Sequence, residues 1–352
     1  MLSNLKIIDI STVLAGPSVG MFFAELGADV LKIEHPIHKD VTRTWKGVGE
    51  NPESNISTYF SSVNYKKKYI SLDLLNTKDI ATFFALVTEA DILISNFKSS
   101  DYSKFGIESK QLRAYNPRLI HGRVSGFGSD SDRVAYDLIL QAESGFMSMN
   151  GLSTTDPIKM PVALIDVLSA HQLKEGLLIA LLEREKTGIG KDVHVSLYKT
   201  AVCSLVNQAA NYLMTNKIPE RIGSLHPSIA PYGEIFTTKE GEKVTFAIGS
   251  DNQFIKLLHK LDLLDYLNDT RFSTNQMRVI NREALAKLLQ PGVEKLTITA
   301  LLEWSLLNHI PCGHIKNLQE VFKDEAAQNL IREEEIEGVI TKRVTSIAFD
   351  IN

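Results

Sequence analysis

Few residues in this chain have both the type and the setting to do chemistry, and Asp166 is the first of them. It sits in "KMPVALIDVLSAHQLKEGLLIALLERE", where an extended apolar run ends and an amphipathic segment begins. An aspartate at that junction is a natural N-cap, accepting from the free amides of the first helical turn. The same geometry has a chemical use. A carboxylate at a helix N-terminus stays ionised and is rigidly held, and beside a cleft it can attack an activated carbonyl. "VSGFGSD" places Gly126 and Gly128 around Phe127 at the end of an apolar strand, either for a loop of positive φ or for a backbone that approaches a ligand. "YDLILQAESG" then supplies Tyr136 and Asp137. Lys66, Lys67 and Lys68 in "NYKKKYISLDL" form a solvated loop or, with Lys98 and Lys104, a cationic clamp for phosphates.

A second stretch, "IIDISTVLAGPSVGMFFAELGADVLKIEHP", has the outline of a nucleotide-binding βαβ unit. Its turn reads Ala15-Gly16-Pro17, with the next glycine at Gly20, so the Gly-x-Gly-x-x-Gly fingerprint is missing. Glu34 stands where a ribose-binding acid would, which is the best argument for NAD. Without the glycines a nicotinamide oxidoreductase is a distant reading. His121, His171, His194 and His314 show no ligand spacing, and no metal site is expected. Cys203 and Cys312 are too far apart for a disulfide framework or metal cluster, and Cys312 reads as a small buried hydrophobe rather than a nucleophile.

The elements that must position these residues are legible from pattern. Residues 6–10, "DVLKIE", "KKYISLDL", "DILISNF" and "RLIHGRVSGFG" read as strands. Residues 18–27 and "NTKDIATFFALVTEA" read as helices, with Gly27 as a C-cap and Asn76 or Thr77 near an N-cap. This alternation through the first 200 residues predicts an α/β fold with a mostly parallel sheet. "KIPERIGSLHPSIAPYG" is a linker or crossing segment. After it come a hairpin around Glu240-Gly241, a helix opening at Ser250 with Gln253 in capping-box spacing, and two further short helices. The expected division is a large domain over 1–215, a linker and small α+β domain over 216–310, and a segment over 311–352 returning to the large domain.

The composition of the 352 residues, 44% hydrophobic and 23% charged, is that of a globular chain, and the net charge of -4 gives no electrostatic reason to bind nucleic acid or an anionic membrane. No signal peptide is read in "MLSNLKIIDIS", and the longest apolar runs are too short to cross a bilayer. A cytoplasmic protein is the default expectation.

Several long motifs, in one order, carry a resemblance. They are "VLAGPSVGMFFAELGADVLKIEHP", "NPRLIHGRVSGFG", "YDLILQAESGFMSMNG", "LLEREKTGIGKDVHVSLYKTAV", "HPSIAPYGEIF", "DTRFSTNQMRVINR" and "IPCGHIKNLQEV". From about residue 3 to residue 340 the chain resembles the family III CoA-transferases of the CaiB/BaiF type. That group includes formyl-CoA and carnitine CoA-transferases and shares its fold with α-methylacyl-CoA racemase. The resemblance implies a Rossmann-like large domain that serves coenzyme A, with a ring-shaped chain interlocking with a second copy as a homodimer. It places the catalytic aspartate at Asp166, passing through an aspartyl anhydride and an aspartyl-CoA thioester. It implies coenzyme A or acyl-CoA as substrate rather than as a permanent cofactor, with contacts at Gly16, Glu34, His35, Lys67, Lys68, Asn96, Phe97, Lys98, Lys104, Gly126, Phe127, Gly128, Tyr136 and Asp137. Gly126, Gly128 or the first helical amides would face the developing oxyanion. The partners implied are an acyl-CoA donor and a carboxylic acid acceptor.

Racemases of this fold carry a His-Asp pair where this chain has Tyr136-Asp137. Racemisation needs an acid and a base near neutrality, and a tyrosine hydroxyl with a pKa near ~10 is a poor substitute for histidine. Transfer is therefore favoured over an α-methylacyl-CoA racemase or epimerase. A non-catalytic CoA-binding protein is a further alternative. It is suggested by departures from the family pattern: His35 in place of an arginine, Lys98-Ser99-Ser100 in place of Arg-Pro-Gly, Leu14 in place of a glutamine, and no counterpart of the glycine-rich loop of formyl-CoA transferase.

Overall fold

The computed structural model describes residues 2–351. Six strands form one sheet: β1 (Lys6–Asp9), β2 (Asp29–Glu34), β3 (Lys68–Ser71), β4 (Ile92–Ser95), β5 (Ile120–Ser125) and β6 (Asp192–Ser196). All neighbours run parallel, in the order β3-β2-β1-β4-β5-β6. Parallel strands are covered on both faces, which is why β4, Ile-Leu-Ile-Ser, is buried at every position. One face packs on the Ala15–Glu25 and Leu164–Thr187 helices, the other on Phe83, Val87, Tyr102 and Leu112. Asn76 caps the Thr77–Glu89 helix, accepting from the amides of Lys78 and Asp79. Gly27, at φ 99°, turns the chain beyond the Ala15–Glu25 helix.

The strand order reverses between β1 and β4. Ligands of open α/β sheets bind in the crevice at the carboxyl ends of such a pair. Here those ends lead into Ser11–Leu14 and Asn96–Lys98.

Beneath that crevice lies a buried ionic cluster. Lys67 Nζ lies 2.8 Å from Asp9 Oδ2, with both side chains fully buried. It also donates to Pro17 O at 2.9 Å and Asn64 Oδ1 at 2.8 Å. Burial alone would raise the Asp9 carboxyl, but the ammonium groups of Lys67 and Lys32 reverse the effect and hold it below its ordinary value. Lys32 lies 3.3 Å from Asp40, and Glu34 takes Arg43 in a two-point pair at 2.9 and 2.6 Å.

The chain divides into two compact units. One comprises Met1–Met147, Lys159–Pro219 and Asn329–Asn352; the other comprises Ser148–Ile158 and Glu220–Gln328. The second unit holds an antiparallel sheet of β7 (Tyr232–Thr237), β8 (Lys243–Ala247) and β9 (Cys312–His314). The turn between β7 and β8 contains Gly241 at φ 86°, as the Glu240-Gly241 pair suggests. Its core gathers Phe236, Phe246, Phe254, Leu257 and Leu289. Residues 312–314 do not return to the large unit, because β9 pairs with β8. The return begins at Asn329, with the hairpin of β10 (Ile331–Ile336) and β11 (Val339–Val344). There the Arg343 guanidinium lies 3.6 Å over the Tyr65 ring and 3.3 Å from Glu25.

Candidate active site

The carboxyl ends of β1, β4 and β5 open into a cavity of about 290 Å³ lined by Thr12, Val13, Leu14, Asn96, Phe97, Lys98, Ser125, Gly126, Arg133, Tyr136 and Asp166, among others. A second cavity of about 410 Å³ is lined by Glu34, His35, His38, Lys39, Asp40, Leu72, Leu74 and Lys104, among others. Thr12 and Phe97 line both. The two cavities thus share one wall at the point where the sheet order reverses.

Asp166 is the third residue of the Leu164–Thr187 helix, not its N-cap. The N-cap is Ala163, which has no side chain to accept from the first-turn amides. That place is taken by Asp137, whose Oδ1 accepts from the amides of Ile165 at 2.7 Å and Asp166 at 3.4 Å. Asp137 is held in turn by Gln141 Nε2 at 2.5 Å, and Gln141 Oε1 accepts from the Met160 amide at 2.8 Å. The helix is therefore capped from a segment 28 residues earlier in the chain. The cap frees the Asp166 side chain, which is 7% exposed and faces the cavity. Among the described residues no hydrogen bond reaches its carboxylate.

A buried carboxyl with no donor does not remain fully ionised. Burial first, and the charge of Asp137 second, push Asp166 up to about 7. The expectation of a permanently ionised carboxylate is corrected here: a helix terminus favours the anion only where its amides are free, and these amides already serve Asp137. For the same reason the first helical amides at 165 and 166 are not free to face an oxyanion.

Other expected residues divide by place. Asn96, Phe97, Lys98, Gly126 and Tyr136 line the cavity that holds Asp166, while Glu34, His35, Phe97 and Lys104 line the second. Asn96 is turned to the backbone: its Oδ1 accepts from Thr12 N at 2.9 Å and its Nδ2 donates to Thr12 O at 2.8 Å. Glu34 is spent on Arg43 and on the Asp40 amide at 3.0 Å, so it is not free to take a ribose. Lys67 is not a phosphate clamp, because its ammonium is enclosed by three oxygens. Lys68 is exposed on β3 and pairs with Asp29 at 2.7 Å. It lines neither cavity.

The glycines serve packing. A Cβ on Gly126 would lie 2.3 Å from Ala135 Cβ, and one on Gly16 would lie 2.3 Å from Ser11 Oγ. The close approach at Gly126 is thus to the neighbouring loop. Gly128 takes φ 128° and borders a small separate pocket. Phe127 lies under the Arg133 guanidinium at 4.0 Å, and Arg133 pairs with Glu143.

Sequence reasoning missed Tyr59. Burial, then the charges of Asp166 and Asp137, push its hydroxyl up to about 12, which marks it as a neighbour of both acids. Its ring lies 5.1 Å from Trp45, whose ring is 6.2 Å from Tyr136. No periodicity or motif in residues 37–66 points to this aromatic group. Thr12, Val13 and Arg133 were also missed, since only the closing of the sheet brings them to Asp166.

Among the described residues Glu242, His314 and Glu320 are close enough to share an ion, but they lie in the second unit and line neither cavity. No described helix is long and apolar enough to cross a membrane.

Known proteins match this chain over nearly its full length. The family model described as CoA-transferase family III matches residues 2–344. A succinate–glutarate CoA-transferase of Agrobacterium fabrum is 33% identical over 336 residues, covering 93% of this chain and 83% of that protein. An acetyl-CoA:oxalate CoA-transferase of Acetobacter aceti is 32% identical, covering 93% and 84%. A crystal structure of a CAIB/BAIF family protein from Brucella suis superposes with a TM-score of 0.85 at 33% identity, over 98% of this chain and 91% of that one.

Proposed function

The chain belongs to CoA-transferase family III, and from that premise we propose that it moves coenzyme A from an acyl-CoA donor to a carboxylic acid by covalent chemistry at Asp166. One observation carries the reading: a buried carboxyl with no hydrogen-bond partner among the described residues, raised to about 7, on the wall of the switch-point cavity. A solvated carboxylate is a weak nucleophile. One shielded from water and of raised basicity is a stronger one, and its acyl anhydride is protected from hydrolysis.

The Asp166 carboxylate attacks the thioester carbonyl, the C–S bond breaks, and CoA thiolate leaves behind an acyl-aspartyl anhydride. The thiolate attacks the aspartyl carbonyl and expels the donor's carboxylate, leaving an aspartyl-CoA thioester. The acceptor carboxylate attacks that carbonyl and releases the thiolate again. The thiolate then takes the acceptor's acyl carbon from the anhydride, which restores Asp166 and forms the new acyl-CoA.

Coenzyme A is a long ligand, and two cavities sharing Thr12 and Phe97 suit it. In this reading the nucleotide end occupies the second cavity, beside His35 and Lys104. The pantetheine arm passes Thr12 and Phe97, and the thioester lies at Asp166. The relatives described above are named for succinate and glutarate and for acetyl-CoA and oxalate, so each name includes a dicarboxylic acid. A dicarboxylic acceptor is the corresponding proposal here, favoured by Lys98 on the cavity wall. We place a second copy of the chain against the Val206–Thr215 helix, where Leu213 and Met214 are 76% and 85% exposed.

The test is Asp166→Asn with succinyl-CoA and glutarate. Transfer is lost while CoA binding remains. Turnover retained in the variant would refute the role of Asp166, and exchange of an α-proton in heavy water without transfer would select an isomerase instead.

A further inference from the structure

Val13 takes φ 73°. A β-branched residue in the left-handed region is a conformational outlier that persists only where its surroundings over-determine it. Those surroundings are unusually complete. On one side of Val13, Asn96 holds both the amide and the carbonyl of Thr12. Lys32 Nζ donates to Ser11 O at 2.7 Å, and Asp9 Oδ1 accepts from the Ser11 amide at 3.0 Å. The Val13 amide itself is met by Asp40, at 3.4 Å from Oδ1 and 3.3 Å from Oδ2.

Asp40 is built to hold that place. It is 1% exposed, its Oδ1 accepts from the Thr42 amide and hydroxyl at 3.0 and 2.7 Å, and Lys32 neutralises it at 3.3 Å. A charged acceptor so anchored cannot follow the loop if the loop relaxes. Thr12 and Val13 line the cavity of Asp166, and Thr12 also lines the second cavity.

We propose that Asp40 is a positioning residue for the acyl-CoA, clamping Val13 in the left-handed conformation that keeps the Thr12–Leu14 wall shared by the two cavities in its ligand-ready shape. The proposal rests on the reading of those cavities as the coenzyme A site. Without the clamp Val13 returns to φ below zero in most molecules, and apparent affinity falls by the fraction that remains competent. Asp40 belongs to the wall of the second cavity but is 1% exposed, its carboxylate turned to Lys32, Thr42 and Val13 rather than outward.

The experiment is a double-mutant cycle read by calorimetric titration with coenzyme A. Asp40→Asn puts an amide NH₂ against Lys32 or the Val13 amide, and weakens CoA binding about tenfold. KM for acyl-CoA rises by the same factor, with kcat changed less than about threefold. Val13→Gly makes the left-handed conformation accessible without a clamp. On that background Asp40→Asn costs less than about threefold, whatever Val13→Gly does alone. An equal loss on both backgrounds, or no loss from Asp40→Asn in folded protein, overturns the clamp. If Asp40→Asn does not fold, Asp40→Glu keeps the charge beside Lys32 while displacing the oxygens from Val13, and the same outcomes apply. Amide exchange over residues 11–15 is measured in parallel. It rises in the Asp40 variant whether or not CoA is the ligand, and unchanged protection there overturns the clamp. Wild-type protein that fails to bind CoA counts against the functional reading, not the clamp.

Discussion

At the residue scale the account turns on the protonation of Asp166. Its carboxyl, at about 7 in the folded chain, would titrate near 3.8 when exposed. Between those values the folded state holds a proton that the unfolded chain has released, so this group's contribution to stability falls as pH rises from about 4 to about 7 and is at its most unfavourable above that. The cost reaches on the order of 2–4 kcal/mol. Asp166→Asn is therefore expected to gain about 2 kcal/mol at pH 8, with the two proteins converging near pH 4 in urea titrations. A variant less stable than wild type at pH 8 would contradict the assignment of a strained, buried carboxyl. The proposed attack needs an ionised Asp166, so kcat/KM for acyl-CoA should rise with pH and level off above about 7. Asp137→Asn removes the neighbouring charge while keeping an acceptor for the helix amides, and should move that limb to lower pH. Asp137→Ala should also cost about 1 kcal/mol of stability through the lost cap. The place of Asp166 at a helix start was legible in sequence, because an apolar run meets a helix there. Its cap was not, because Asp137 reaches it only after folding. The Lys66–Lys68 run was ambiguous for a similar reason: a charge run does not say which member turns inward.

At the element scale, the parallel sheet follows from strands alternating with helices, and the cavity follows from the reversal between β1 and β4. What the alternation could not disclose is the ionic cluster beneath the reversal. Asp9, Lys32, Glu34 and Lys67 lie on or beside strands whose apolar neighbours dominate the pattern, and their partners Asp40 and Arg43 belong to a single 3-10 turn, Val41–Thr44, with Asp40 as its cap and Arg43 within it. Breaking a buried pair leaves an uncompensated charge. Lys67→Met should destabilise the chain by about 3–5 kcal/mol, seen as a lower urea midpoint. Lys98→Ala, on the cavity wall, should leave that midpoint nearly unchanged and raise KM for the acceptor acid. If Lys67→Met weakened CoA binding at undiminished stability, the phosphate-clamp reading of that lysine would be restored.

At the scale of the whole molecule, the chain enters the second unit twice, at Ser148–Ile158 and at Glu220–Gln328. The second entry was foreshadowed by the Pro- and Gly-rich segment. The first was not, because it is fixed by a bridge between Leu152 and Ile222 that local composition does not reveal. The exposed Leu213 and Met214 argue for a partner surface. Light scattering should find twice the mass of the 39.2 kDa chain, and Leu213→Glu should shift the species toward a single chain. A monomer at micromolar concentration would remove the proposed second copy without touching the chemistry of Asp166.

A covalent trap tests the role of Asp166 most directly. The protein is incubated with succinyl-CoA, quenched with hydroxylamine, and the peptide containing Asp166 is weighed by mass spectrometry. An aspartyl hydroxamate is expected at Asp166, formed only when acyl-CoA is present. An unmodified Asp166 in protein that binds CoA and completes transfer would contradict it.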